Sequence, residues 1–345
     1  MTKDSAMHPM AQSNMRLPAH HRPGGGFRNP WPSAQTHGFL DFLKWSLIER
    51  RRNPRRPDTD PGVFTRAAPA YIVPRSAPDL FTITWIGHTS FLIQIAGLNI
   101  LTDPIWSERA SPVHFAGPRR WVPAAVDFDN LPPIDAVILS HDHYDHLDSS
   151  TVSRLAERYP ATRWYAPLGV GDFFRCRGAR DVIERDWWGE SALEELHLTC
   201  LPAQHFSGRT LGKRNTTLWC GWSLRTAGHS LFFAGDTALH PEFGHIATRC
   251  GPFDLAILPI GAYEPRWFMG SVHMNPEDCV NAVDQLEAGQ HGTRLVVAAA
   301  HWGTFKLTDE PMDEPPTRMR ERWRAAGRDG KDLWIMRHGE TRVMP

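Results

Sequence analysis

With 345 residues the chain can hold one large domain or two smaller ones, and 41% hydrophobic and 22% charged residues suit a globular protein with a sizeable core. Thirty-eight basic residues balance thirty-eight acidic ones, so no net field draws the chain to nucleic acid. The five cysteines, Cys176, Cys200, Cys220, Cys250 and Cys279, are odd in number and lack a CxxC pair, which argues against a disulfide framework and for a reducing compartment.

The opening stretch MTKDSAMHPMAQSNMRLP has no apolar core of the secretory kind, and no run of about 18 apolar residues follows to span a bilayer. A cytoplasmic protein is the expectation, at most peripheral at the inner face of a membrane. Residues 1–78 read as an extension rich in Pro, Arg and Gly. Within it, 39–56 sets Phe39, Phe42, Leu43, Trp45, Leu47 and Ile48 before Arg50, Arg51, Arg52, Arg55 and Arg56. That order suits either docking on an anionic membrane surface or a short helix packed on the main domain with its arginines in water.

Residues 79–345 form the expected catalytic domain. Short β-rich runs recur at FTITWIG, SFLIQIAG, LNILTD, DAVILSH, HLTCLPAQH, LFFAGD, DLAILPIG and RLVVAAAH. Helices are predicted at SSTVSRLAERYP, capped by Ser149 or Ser150 and stopped by Pro160, and at NPEDCVNAVDQLEAG, capped by Asn275 with Pro276 in the first turn and Gly289 at the end. Adjacent strands followed by alternating strands and helices imply a layered α/β fold.

The chemistry concentrates after one strand. In DAVILSHDHYDHLD, His141, His143, Asp145 and His146 form H-x-H-x-D-H. Histidines two apart can point at one metal, and Asp145 and His146 on the next turn can reach a second. Imidazole and carboxylate are the ligands of zinc and related divalent ions. His205, Asp236 and His301 each follow a further apolar run, and ligands at the same ends of neighbouring strands converge on one sheet edge.

These residues resemble the metallo-β-lactamase superfamily, and within it the N-acylphosphatidylethanolamine phospholipase D type. The blocks WIGHTSFLIQIAGLNILTDPIWSERASPVHFAGPRR, SHDHYDHLD, LPAQHFSGRT, FFAGDT, PIGAYEPRWFM and HWGTF carry the likeness over roughly 80–340. It implies an αββα sandwich, two mixed sheets flanked by helices. It also implies two zinc ions, with iron or manganese as alternatives. His141, His143 and His205 would hold one metal, Asp145, His146 and His301 the other, and Asp236 would bridge them around a shared hydroxide.

Asp145 and His273 are the catalytic candidates on this resemblance, His273 orienting phosphate or assisting the leaving group. His88 and Asp103 match blocks that steady metal-bound histidines. Tyr144, Tyr263, Glu264, Arg266 and Trp267 could shape a substrate mouth, whereas His240 and His245 have no counterpart.

The function implied is a zinc-dependent phospholipase D cleaving N-acylphosphatidylethanolamine to an N-acylethanolamine and phosphatidic acid. The alternative is a lactonase of the ascorbate-phosphate lactonase type acting on a soluble substrate. Expected partners are a lipid or other phosphodiester substrate and a membrane touched through 39–56. Nucleic acid is not among them, and a homodimer is left open.

Overall fold

The computed structural model describes residues 17–32, 37–52, 54–209 and 213–344. Most of the stretch read for a secretory signal, residues 1–16, and the side chain of Phe39 lie outside the described set. In β1 (Thr82–Gly87), β2 (Ser90–Ile95) and β3 (Leu98–Thr102) every residue is buried, so these strands are covered on both faces. Alternation sorts their side chains. Ile83, Trp85, Phe91, Ile93 and Ile100 join the large central core, while Ile86, Leu92 and Leu101 join a second core on the opposite face.

The first sheet continues through β4 (Ala136–Ile138), β5 (Arg163–Pro167) and β6 (Asp181–Arg185). The second is built from β7 (Glu190–Leu193), β8 (Leu196–Leu201), β9 (Gly221–Arg225), β10 (Ser230–Phe233), β11 (Leu255–Pro259), β12 (Val296–Ala300) and β13 (Leu333–Trp334). The final strand, β14 (Thr341–Val343), returns to the first sheet beside β1. The orders are β14-β1-β2-β3-β4-β5-β6 and β13-β12-β11-β10-β9-β8-β7. Each sheet is antiparallel over its hairpin half and parallel over the rest. Two mixed sheets flanked by helices are the predicted α/β sandwich.

Every predicted apolar run contains a strand. The strands that the pattern does not announce are β5, β6, β7, β9, β13 and β14. Of these β6, β7, β13 and β14 are sheet edges, where partial exposure removes the apolar signature, and β13 and β14 hold only two and three residues.

Helix Ser149–Arg158 corrects one cap. Asp148, rather than Ser149 or Ser150, occupies the N-cap, because its two carboxylate oxygens accept from Ser150 N–H and from the Thr151 hydroxyl together. Its Val152, Leu155 and Ala156 fill the second core, and Tyr159 has already left the helix to donate its hydroxyl to Leu131 O. Helix Pro276–Gly289 begins as expected. Asn275 accepts from Asp278 N–H at 2.8 Å, and the Asp278 side chain returns the bond. At its end Gly289 permits close packing on helix Phe243–Cys250, since a Cβ there would stand 2.2 Å from Gly244 O.

Parts of the N-terminal extension lie against the sandwich. Trp31 stacks on His240, and Asn29 donates to His205 O at 2.9 Å. Helical turns at 39–52 bury Trp45 beside Phe268, with its indole bonded to Asp309. Arg50 and Arg55 also bind Asp309, and Arg56 pairs with Glu314. Leu40, Leu47 and Ile48 face outward. Among the described residues no helix is long and apolar enough to cross a membrane.

Candidate metal centre

The loops after the central strands meet at one edge of the sandwich. His141 to His146 follow β4, His205 lies four residues beyond β8, Asp236 three beyond β10, and His301 directly follows β12. Gly235 makes the approach of Asp236 feasible: its φ is 60°, and a Cβ would lie 2.5 Å from Ser140 Cβ. His88, Asp103 and His301 adopt positive φ as well (58°, 34° and 60°), a backbone cost that recurs where side-chain aim is imposed by function.

All seven predicted ligand residues are brought together in two groups. In the first, His143 Nδ1 stands 2.8 Å from His141 Nε2 and 3.2 Å from His205 Nε2. In the second, Asp145 Oδ2 stands 3.3 Å from His146 Nε2 and 3.5 Å from His301 Nε2. Asp236 Oδ2 lies between them, 3.1 Å from His146 and His301, 3.8 Å from His205 and 3.9 Å from His141. Ligand bonds of about 2.1 Å in a tetrahedron set donors about 3.4 Å apart, close to this spacing.

The ring nitrogens of His141, His146 and His205 that face away from the centre are anchored so that lone pairs point inward. Asp103 accepts from Ser140 N–H with Oδ1 at 2.7 Å, and with Oδ2 from the Ser140 hydroxyl at 2.6 Å and His146 Nδ1 at 2.7 Å. With its proton committed to Asp103, Ser140 Oγ can only accept from His141 Nδ1, 2.9 Å away. One buried carboxylate therefore fixes the tautomer of a histidine in each group. His205 Nδ1 donates to Val272 O at 2.9 Å. His88 Nε2 donates to Asp145 Oδ2 at 2.9 Å, the partner role expected of it.

The donor set fits divalent metal on a second observation. His146 Nε2, His301 Nε2 and Asp236 Oδ1 are buried without hydrogen bonds. The two imidazole nitrogens lie 3.1 Å from Asp236 Oδ2 yet miss hydrogen-bond alignment, so they aim at shared points rather than at one another. Leaving such groups unpaired costs about 1–3 kcal/mol each unless a cation takes their lone pairs. Burial pushes His143 down to about 3, His205 to about 4 and His141 well below the usual imidazole range, which keeps them neutral as metal ligands must be. Burial works against charge on His146 and His301 too, but Asp236 and Asp145 reverse it, lifting His301 to about 9 and His146 well above normal. In turn these rings hold both carboxyls well below their ordinary range against burial.

His273 is buried beside the cage, its Nδ1 unpartnered and 4.0 Å from Asp236 Oδ2. Arg266 holds it in place, bonding His273 O and Asp278. Burial lowers its pKa well below 6.5, so the ring is neutral. Tyr263 departs from the mouth role: it is fully buried, its hydroxyl donates to Glu314 Oε1 at 2.8 Å, and its ring packs under Arg318. Glu264 caps the turn before Arg266, while Trp267 is partly exposed and bonded to Glu49. Tyr144 lies under the Arg209 guanidinium. His240 is an interior ring between Trp31 and Phe243, and exposed His245 pairs with Glu242.

Sequence reasoning missed Ser140, Asp142 and Arg209. Asp142 accepts from Gly208 N–H and the Thr217 hydroxyl, and Arg209 binds the carbonyls of Asp142 and Leu147. These contacts lock the motif loop to the loop after β8. Asp142 was visible as the unassigned residue inside H-x-H, but its partners are 66 and 75 positions away.

A family model described as the beta-lactamase superfamily domain matches residues 98–297. An uncharacterized protein of Mycobacterium tuberculosis is 39% identical over 289 residues, 81% of this chain and 72% of that one. The N-acyl-phosphatidylethanolamine-hydrolyzing phospholipase D 1 of Caenorhabditis elegans is 36% identical over 317 residues, 87% of each chain. Two solved structures share the fold. Igni18, a metallo hydrolase of Ignicoccus hospitalis, has a TM-score of 0.57 at 21% identity, covering 77% of this chain and 99% of that one. The isothiocyanate hydrolase from Delia radicum gut bacteria has a TM-score of 0.58 at 22% identity, covering 76% and 98%. The chain belongs to the beta-lactamase superfamily: it is a metal-dependent hydrolase of the metallo-β-lactamase fold, related over most of its length to the worm phospholipase D.

Proposed function

We propose that the protein is a two-zinc phosphodiesterase of the phospholipase D type, releasing an N-acylethanolamine and phosphatidic acid from N-acylphosphatidylethanolamine. The observation that carries the reading is the pair of donor groups spanned by Asp236, in a chain 36% identical to a relative named for that activity. His141, His143 and His205 would hold one ion, Asp145, His146 and His301 the other, and Asp236 both. When bound, such ions supply Lewis acidity toward water and the phosphate oxygens.

The remaining work falls to the protein. Asp145, steadied by His88, is placed to hold the proton of an attacking water, whose oxygen bonds to phosphorus as the bond to the ethanolamine oxygen breaks. Neutral His273, fixed by Arg266, would orient a non-bridging oxygen, and the departing alkoxide would take the proton that Asp145 received from water. Delivery of a lipid is supported by the helical turns at 39–52. Their outward Leu40 (79% exposed), Leu47 (53%) and Ile48 (48%) adjoin exposed Arg51 and Arg52, and Glu49 bonds Trp267 on the segment that leads to His273.

The test is turnover by zinc-loaded protein on vesicles containing N-acylphosphatidylethanolamine, with both products measured by mass spectrometry beside a panel of lactones. Formation of the two products at a higher kcat/KM than any lactone is expected. Absence of turnover with metals shown bound, or preference for a lactone, overturns the assignment.

A further inference from the structure

We propose that His20, His21 and Asp186 form an additional divalent-metal site, separate from the catalytic cage, that fastens the N-terminal segment to the hydrolase domain. His20 Nε2 lies 2.7 Å from Asp186 Oδ1, and His21 Nε2 lies 2.8 Å from Asp186 Oδ2. All three donor atoms fall within 4.8 Å of one another, the same convergence that marks the catalytic groups. Two imidazoles and one carboxylate are a borderline donor set, suited to zinc, nickel or copper rather than to magnesium or calcium.

The rings are pre-positioned by packing. His20 stacks on Trp187, with centroids 4.2 Å apart and planes 23° apart, and His21 meets Phe27 edge-on at 5.0 Å. The Trp187 N–H binds Asp186 Oδ1 at 2.8 Å and so orients the carboxylate. Around these three groups the side-chain exposures are 9%, 21% and 32% for His20, His21 and Asp186, which leaves access for water as a fourth ligand.

The site has a structural reach. His21 bridges to Phe27, and the segment then sends Asn29 to His205 O and accepts from Trp219 Nε1 on Asn29 Oδ1. Trp31 follows, stacked between His240 and Trp187. A metal at the start of this strap, far ahead of β1 in the chain, therefore braces the backbone of a residue in the catalytic cage.

The competing explanation is a metal-free clasp, in which both rings simply donate to the two carboxylate oxygens. Zinc counting on the full chain separates the two. After stripping and reloading, wild-type protein is expected to hold one zinc per chain more than the double variant His20→Gln with His21→Gln. Asp236→Ala, which disrupts the catalytic cage, is expected to retain a zinc that is lost when those two histidines are also replaced. If the double variant folds poorly, His21→Gln serves instead, because it keeps the His20 bond to Asp186. That single change should weaken the additional zinc at least about 10-fold, since loss of even an outer partner that merely orients a ligand costs that much. Equal zinc counts in wild type and the histidine variants, or unchanged zinc affinity in His21→Gln, overturn the proposal.

Discussion

Replacing Asp103 by Asn changes no volume and inverts one hydrogen bond. The wild-type carboxylate receives three donors: Ser140 N–H on Oδ1, and the Ser140 hydroxyl and His146 Nδ1 on Oδ2. An amide NH2 cannot occupy the Oδ1 position, where it would oppose Ser140 N–H, so it takes the Oδ2 position. There it becomes a donor to His146 Nδ1, which must then accept, and the proton of that ring moves to Nε2, the atom 3.1 Å from Asp236 Oδ2. The Ser140 hydroxyl, no longer able to donate to that position, is free to donate to His141 Nδ1 instead of accepting from it. Burial raises the Asp103 pKa against the pull of its donors toward the anion.

Loss of such outer partners lowers metal affinity about 10- to 100-fold, or about 1.4–2.8 kcal/mol, and here one histidine in each donor group is affected. Chelator competition on Asp103→Asn should show both metals weakened. Ser140→Ala, which leaves the His146 bond intact, should weaken mainly the metal held by His141. Wild-type affinity for both ions in Asp103→Asn would refute the tautomer argument.

Asp236→Ala should lose the metal of the catalytic cage and activity together, whereas His273→Ala should keep its metal content and lose rate, as read by metal analysis beside single-turnover kinetics. Retention of both metals by the Asp236 variant removes its bridging role. Gly235→Ala forces a non-glycine residue to φ 60° against Ser140 Cβ, and should cost at least about 1 kcal/mol in urea unfolding as well as metal affinity. Burial pushes His240 down to about 3 in the folded state, so as pH falls the unfolded chain takes up this proton first. The associated stability is complete above about 6.5 and is lost toward pH 3, at about 1.4 kcal/mol per unit. Wild type should therefore lose about 2 kcal/mol more than His240→Phe between pH 7 and 5; equal losses in urea midpoints contradict this.

The strands and ligands were legible because they repeat a local rule: an apolar run followed by a histidine or aspartate. Burial on both faces makes β11 and β12 apolar throughout and β2 and β3 largely so, with Gln94 and Asn99 bonded to each other inside, and the same burial demands that polar loops carry the chemistry at their ends. Asn275, Pro276 and Gly289 were equally readable, since a cap is set by neighbours three or four residues away.

Longer-range choices were not. Ser149 and Ser150 each looked like a cap, but the two oxygens of Asp148 satisfy more groups at once. Tyr263 reads as an aromatic on a functional block, and only its burial against Glu314 and Arg318 shows it to be interior. The amino-acid sequence by itself determined which residues can ligate metal and that they follow strands, because ligand chemistry and strand periodicity are both local. Tertiary structure decided how seven donors share two groups, that Asp103 reaches both through Ser140 and His146, and that His20 and His21 meet Asp186 from 166 and 165 positions away. Those contacts depend on how two sheets close against each other, and no spacing along the chain encodes that distance.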